Sequence, residues 1–348
     1  MNLPAVTDQP RVTHRDRYLD ALRAAALVRV TVFHAFGWLW LKWLPSMGIM
    51  FAIGGSLMAR SMSRSPRRAV GTRVRRLLPV LWAFGLIWVP VMIWHDGPPG
   101  DWVTPDGSPI DPWQLLFWIL PIGNPVGSGW GVVGWGVLWY VKTYLLFVVL
   151  SPVLLPAFRR APGPTVAAPF LLLTLGELDV VPLAGWWGNS INDVLTYLGC
   201  WLIGFAHADG QLRRASPAKL LTLGGVIALA GIAWLAGVAR SSSLLDSDLA
   251  IALYYFGTVL ILMRFSFRLE WLDRVPWLDR AISVINARAV TIFLWHGVAL
   301  LIASTWLGGS PLIWFPAAWV LIGVAVVLFG WLEDLAARRR PRLVPLRP

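Results

Sequence analysis

The chain has 348 residues, 57% of them hydrophobic and 14% charged, with 23 tryptophans and a mean hydropathy of +0.64. That balance excludes an ordinary soluble domain and predicts an all-α fold, a polytopic bundle of membrane helices. The formal net charge of +12 sits in short loops between apolar runs, so it reads as a topology signal, and no nucleic-acid partner is expected. The single Cys200 excludes an intrachain disulfide and a cysteine-based metal site.

The first twenty residues are polar and hold no short apolar core with a small-residue cleavage site, which predicts a cytoplasmic tail and no removable leader. Apolar runs then predict ten spans at 21–41, 45–62, 77–94, 130–156, 165–182, 194–208, 218–238, 249–265, 288–304 and 312–332. The sixth is short for a bilayer. The stretch 113–129, broken by Pro121, Pro125 and glycines, reads as a re-entrant or interfacial piece. Assigning alternate loops to opposite sides puts all Lys and Arg except Lys42, Lys142 and Arg240 on the side of both termini, which predicts cytoplasmic termini. The other side then carries the acidic loop with Asp96, Asp101, Asp106 and Asp111 and the segment WWGNSIND. The organisation expected is a tail (1–20), one membrane domain (21–335) and a basic tail (336–348) held near anionic headgroups.

Within the first span Arg23 and His34 are eleven positions apart, close to three helical turns, so both lie on nearly one face about 16 Å apart along the axis. An imidazole at lipid depth is expensive and points to function. Arg29 shares its helix and Asp20 precedes it at the cytoplasmic edge. A neutral imidazole accepts a proton from a hydroxyl at neutral pH, which makes His34 a general-base candidate. The next connection gathers Arg60, Arg64, Arg67, Arg68, Arg73, Arg75 and Arg76. Positive-inside topology alone explains part of this; guanidinium forks also fit a phosphorylated cytosolic ligand.

Lys142, flanked by Tyr140 and Tyr144, is a buried cation expected to pair with Glu177 or to reach outward. Glu177 and Asp179 point about 200° apart on a helix and cannot form one paired-carboxylate site there. Glu177 is expected to orient a histidine or an acceptor hydroxyl, and Asp179 to lie at the interface. No phosphate loop, HExxH, GxSxG or Cys/His metal-ligand pattern occurs, so a nucleotide-driven transporter and a membrane metalloprotease are not expected.

The segments LDALRAAALVRVTVFH, MFAIGGSLMARS, RVRRLLP, LWYVKTYLL and TIFLWHGVALL, in this order between about Tyr18 and Leu301, resemble the acyltransferase 3 family of integral membrane O-acyltransferases. The resemblance implies about ten helices, a cytosolic acyl-CoA donor with no bound cofactor, and transfer to a hydroxyl of a carbohydrate, lipid or secondary metabolite. It implies Arg23 and His34 as the essential pair of the first helix, Arg73, Arg75 and Arg76 as the basic segment before the third, and His296 as the late histidine. The chain departs from the family pattern at Met50-Phe51, at Gly54-Gly55 followed by Ser56, and at Trp295 before the late histidine.

By these expectations the donor's phosphates dock on the cytoplasmic arginines and its thioester reaches His34, which acts as base, with an acyl-histidine intermediate as a second route. Arg23 positions the donor or stabilises its charge, while Lys142, Tyr140, Glu177 and His296 are substrate-contact candidates. Two rivals stand beside this reading: a multi-span transporter or flippase, and a relative with changed chemistry such as an isoprenoid cyclase or isomerase.

Overall fold

The computed structural model describes residues 17–103, 109–183, 185–241, 243–265, 267 and 269–342. Asp106 and most of the two tails lie outside the described residues. The described elements are helical apart from an isolated bridge between Val103 and Pro109. The long helices are α1 (Arg17–Phe36), α2 (Ser46–Met62), α3 (Pro66–Asp96), α4 (Trp139–Arg160), α5 (Pro162–Glu177), α6 (Gly185–Ala208), α7 (Pro217–Trp234), α8 (Asp248–Arg264), α9 (Pro276–Ala287), α10 (Ala289–Leu307) and α11 (Pro311–Ala336).

Local chemistry sets many of these boundaries. Proline occupies the first position of α3, α5, α7, α9 and α11, where its missing N–H costs nothing and its fixed φ suits a helix. Gly37 ends α1 at φ +63°, its N–H donating to the Phe33 carbonyl at 2.8 Å. Ser247 caps α8 by accepting from the Ala250 N–H at 3.0 Å.

Each of the ten predicted spans coincides with one of these helices. Five helical stretches are long and apolar enough to cross a bilayer: Pro66–Asp96, Val132–Arg160, Pro217–Ala239, Ala289–Leu307 and Pro311–Ala336. The protein is therefore an all-helical membrane protein by its described residues, and ten crossings are not established. The others fall short for physical reasons. α1 carries Arg17, Asp20, Arg23 and Arg29, and α2, α5 and α8 have only 16 or 17 residues. Fourteen of the seventeen residues of α2 are buried, so it is wrapped by protein and needs little lipid-facing surface.

The centre of the bundle is the contact of α2 with α6. A Cβ on Gly55 would meet the Trp201 carbonyl oxygen at 2.3 Å, and one on Gly204 the Ala52 carbonyl oxygen at 2.2 Å. Glycine at both positions is what lets the backbones touch, as small residues do between membrane helices. α7 and α8 meet the same way through Gly224 and Gly257.

One expectation is revised: the sixth span is the 24-residue α6, and WWGNSIND forms its first turns, where an outer loop was expected. The stretch 113–129, read as a broken piece and not as a span, forms no spanning helix: Pro112–Trp118 is a 3₁₀ turn, and Trp118, packed over Gly85 of α3, donates to the Val126 carbonyl at 2.8 Å.

Candidate functional site

His34 lies near the C-terminal end of α1, and α10 brings His296 against it. The two rings have centroids 5.1 Å apart, with His296 Nε2 3.2 Å from His34 Nδ1. His296 Nδ1 is 2.6 Å from the Phe293 carbonyl oxygen. A carbonyl only accepts, so this nitrogen carries the proton, and in a neutral ring Nε2 is then the acceptor. His34 Nδ1 must donate to it. That chain, Phe293 carbonyl to His296 to His34, leaves the lone pair on His34 Nε2. No described residue bonds that nitrogen, and His34 is exposed while His296 is fully buried. α10 thus does for His34 what an orienting partner does for a catalytic imidazole: it fixes tautomer and ring plane.

Arg29 staples the turn that follows α1, donating through Nε to the Leu41 carbonyl at 2.9 Å and through a second nitrogen to the same oxygen. It is committed to that turn.

Arg23, on the same helix, opens onto a cavity of about 640 Å³ lined also by Arg60, Arg64, Arg68, Arg73 and Arg76. Arg73 donates to the Tyr144 hydroxyl at 2.7 Å. Arg67 and Arg75 are exposed and are not among the lining residues. Six guanidinium groups around one opening favour an anion there, and Ala289 and Val290 of the first turn of α10 line the same wall. α10 begins inside the protein: Arg288, just before it, is 1% exposed, donating to the Gly330 carbonyl at 2.9 Å and to Asp334 at 2.7 Å.

Neither histidine lines this cavity. Tyr140 and Phe293 both do, with centroids 4.9 Å apart, and Phe293 is 5.6 Å from His296 on its other side. The Phe293 ring therefore separates the arginine cavity from the imidazoles.

Other expectations resolve differently. Lys142 does not pair with Glu177: its fully buried Nζ is 2.6 Å from Asp193 of α6. Glu177 has a structural post, accepting from the Ser247 hydroxyl at 2.9 Å, the Leu249 N–H at 2.8 Å and the Trp234 indole at 2.7 Å, so it ties α5 to the start of α8. Asp179, at φ +56° and exposed, lies just past the end of α5. Gly54-Gly55 serves the α2–α6 contact, although Gly54 also reaches the cavity wall.

The sequence reading missed Asp193 and Glu333. Asn189, Asn192 and Asp193 recur at i, i+3 and i+4, one helical face, a signal masked by assigning them to a loop. Glu333, just beyond the predicted tenth span, is 2% exposed in the cavity wall; one oxygen accepts from the Thr291 N–H at 2.8 Å and hydroxyl at 2.6 Å, capping α10, and the other has no partner among the described residues.

A model of the acyltransferase 3 family, described as an acyltransferase domain, matches residues 16–332. The chain belongs to the acyltransferase 3 family. No curated protein and no solved structure matches it. The match takes in Arg23, His34, the arginines at the end of α2 and the start of α3, and His296, and as a family member the chain is a membrane acyltransferase in general terms. Glu333 lies just past its end.

Proposed function

We propose that this acyltransferase 3 protein moves an acyl group from acyl-CoA to a hydroxyl, with His34 as general base. The observation that carries this is the His34–His296–Phe293 chain, which leaves the lone pair of His34 Nε2 free, on an exposed residue of the helix that also carries Arg23.

The donor's phosphates bind the arginine cavity from the cytoplasm, and Arg23 holds the end of the donor nearest Phe293. Tyr140 and Phe293 rotate to admit the thioester. His34 Nε2 takes the hydroxyl proton as the acceptor oxygen attacks the thioester carbonyl; the C–S bond breaks, the ester forms, and the proton passes to the leaving thiolate. His296 keeps His34 oriented through both steps and is a positioning residue. No bound cofactor takes part; the acyl group comes from the donor, and the surrounding lipid is the remaining partner. In this reading all ten coincident helices cross a bacterial plasma membrane with both termini in the cytoplasm. A transporter or flippase and an isoprenoid cyclase or isomerase are the rivals.

The test is thiol release from acyl-CoA by purified protein, with variants chosen by geometry. Replacing Arg64, Arg68 and Arg76 together by Gln is expected to raise the donor KM at least tenfold, while replacing Arg67 and Arg75, which are not among the lining residues, leaves it unchanged. Equal effects from both sets would reduce the arginines to a topology signal, and no thiol release from the intact protein would remove the transferase reading.

A further inference from the structure

Glu333 is a carboxylate in the lining of an anion cavity, the one that Arg23, Arg73 and Arg76 share. It is 2% exposed, and its first oxygen is fully engaged: Oε1 accepts from the Thr291 N–H at 2.8 Å and from the Thr291 hydroxyl at 2.6 Å, at the start of α10. Oε2 has no hydrogen-bond partner among the described residues, the arginines included. In the same lining Arg76 of α3 shows the opposite lack, since its Nε is buried and has no acceptor there. An unpaired buried acceptor and an unpaired buried donor are both costly, and here neither satisfies the other. Thr291 stands two residues before Phe293, so the carboxylate meets α10 within one turn of the ring that separates this cavity from the imidazoles.

From this arrangement we infer that Glu333 and Arg76 form a subsite for an uncharged amide within the anion cavity, and that it reads the pantetheine arm of the donor: Glu333 Oε2 accepts from an arm amide N–H, and Arg76 Nε donates to an arm oxygen. The inference rests on the acyl-CoA reading of the cavity and adds the part of the donor that the other guanidinium groups do not read. Ionised phosphate oxygens only accept, so they satisfy guanidinium groups and are repelled by a carboxylate; a ligand made of phosphates alone leaves Oε2 unpaired. An alkyl chain leaves both Oε2 and the Arg76 Nε unpaired. The arm that joins the phosphates of CoA to its thioester carries amides and a hydroxyl, neutral groups that both give and take hydrogen bonds, and it has to pass from the arginines to Phe293. Glu333 Oε1 holds the start of α10, the helix that carries His296, so an arm bound at Oε2 is set in register with the histidine pair.

The experiment is calorimetric titration of the full-length protein in nanodiscs with CoA and with adenosine 3′-phosphate 5′-diphosphate, which carries all the phosphates of CoA and no arm. CoA is expected to bind at least tenfold tighter. Glu333→Gln keeps a carbonyl oxygen for Thr291 but puts a donor at the second position; it is expected to cost CoA at least tenfold in affinity without weakening the arm-free nucleotide. Thr291→Val removes a donor to Oε1 and leaves Oε2 untouched, and is expected to keep the preference for CoA. CoA analogues in which each arm amide is replaced in turn by an ester probe the intact protein without any substitution, and at least one is expected to bind tenfold weaker than CoA. An unchanged preference in Glu333→Gln, an equal loss in Thr291→Val, or every ester analogue binding like CoA would overturn the assignment. Thiol release from acyl-CoA separates the two ideas. A protein that releases thiol while its preference ignores Glu333 loses the amide subsite alone; one that binds CoA through Glu333 but leaves acyl-CoA intact keeps the subsite and loses the transferase; one that binds neither nucleotide loses both.

Discussion

At the scale of single residues, the proposed chemistry turns on which nitrogen of His34 is free. The Phe293 carbonyl, 2.6 Å from His296 Nδ1, dictates the His296 tautomer, and His296 in turn dictates that of His34. Removing the middle member leaves the His34 ring free to rotate and to place its proton on either nitrogen. His296→Ala is therefore expected to lower kcat by about 10–100-fold, the usual cost of losing a partner that orients a functional histidine, with the donor KM within twofold of the original. A kcat unchanged by His296→Ala, measured by thiol release in the presence of acceptor, would make His296 a packing residue only. The pairing of Arg23 and His34 on one helical face is legible in the sequence, because helical periodicity is local. The partnership with His296 is not, since 262 positions separate the two rings and only the packing of α10 on α1 joins them. Lys142 shows the same limit: its charge demanded a partner, but Asp193 and Glu177 are equivalent choices until α6 is folded.

At the scale of elements, two helices carry the geometry. α2 is held against α6 by backbone contact at Gly55 and Gly204, and this contact fixes the wall of the arginine cavity through Met50, Ile53 and Gly54. A side chain at Gly204 has no flexible neighbour to displace; it meets the Ala52 carbonyl and the Ser56 N–H of α2. Gly204→Leu is expected to destabilise the bundle by about 1–3 kcal/mol, the range for overpacking, read as a lowered midpoint of thermal unfolding in detergent. Gly225→Leu on α7, where no heavy atom lies within 4 Å of an added Cβ, is the control and leaves the midpoint in place. Span positions follow directly from apolar runs, which is why each of the ten predicted segments finds its helix. The first turns of α6 escaped because Asn189, Ser190, Asn192 and Asp193 lower hydropathy where a helix nonetheless continues. Polar residues that serve a pocket are the ones that blur a hydropathy boundary.

At the scale of the whole molecule, the described residues enclose two chemically different cavities. An arginine-lined cavity of about 640 Å³ and an Asn/Asp/Trp pocket of about 300 Å³ meet at Trp139 and Tyr140, and the histidine pair lies behind Phe293. The first is lined by guanidinium groups and the second by Asn, Asp and Trp side chains with no arginine, so the two differ in charge. The clustering of arginines from the end of α2 into the first turns of α3 is plain in the sequence. Which of them face inward is decided only by the turn from α2 into α3, which brings in Arg60, Arg64, Arg68, Arg73 and Arg76 and leaves Arg67 and Arg75 outside. The role of His34 is decided by single-turnover acyl transfer by His34→Ala in nanodiscs, with donor binding measured on the same preparation. His34→Ala is expected to bind the donor as the original protein does and to form no acyl product; transfer within a few-fold of the original rate would show that His34 is not the base.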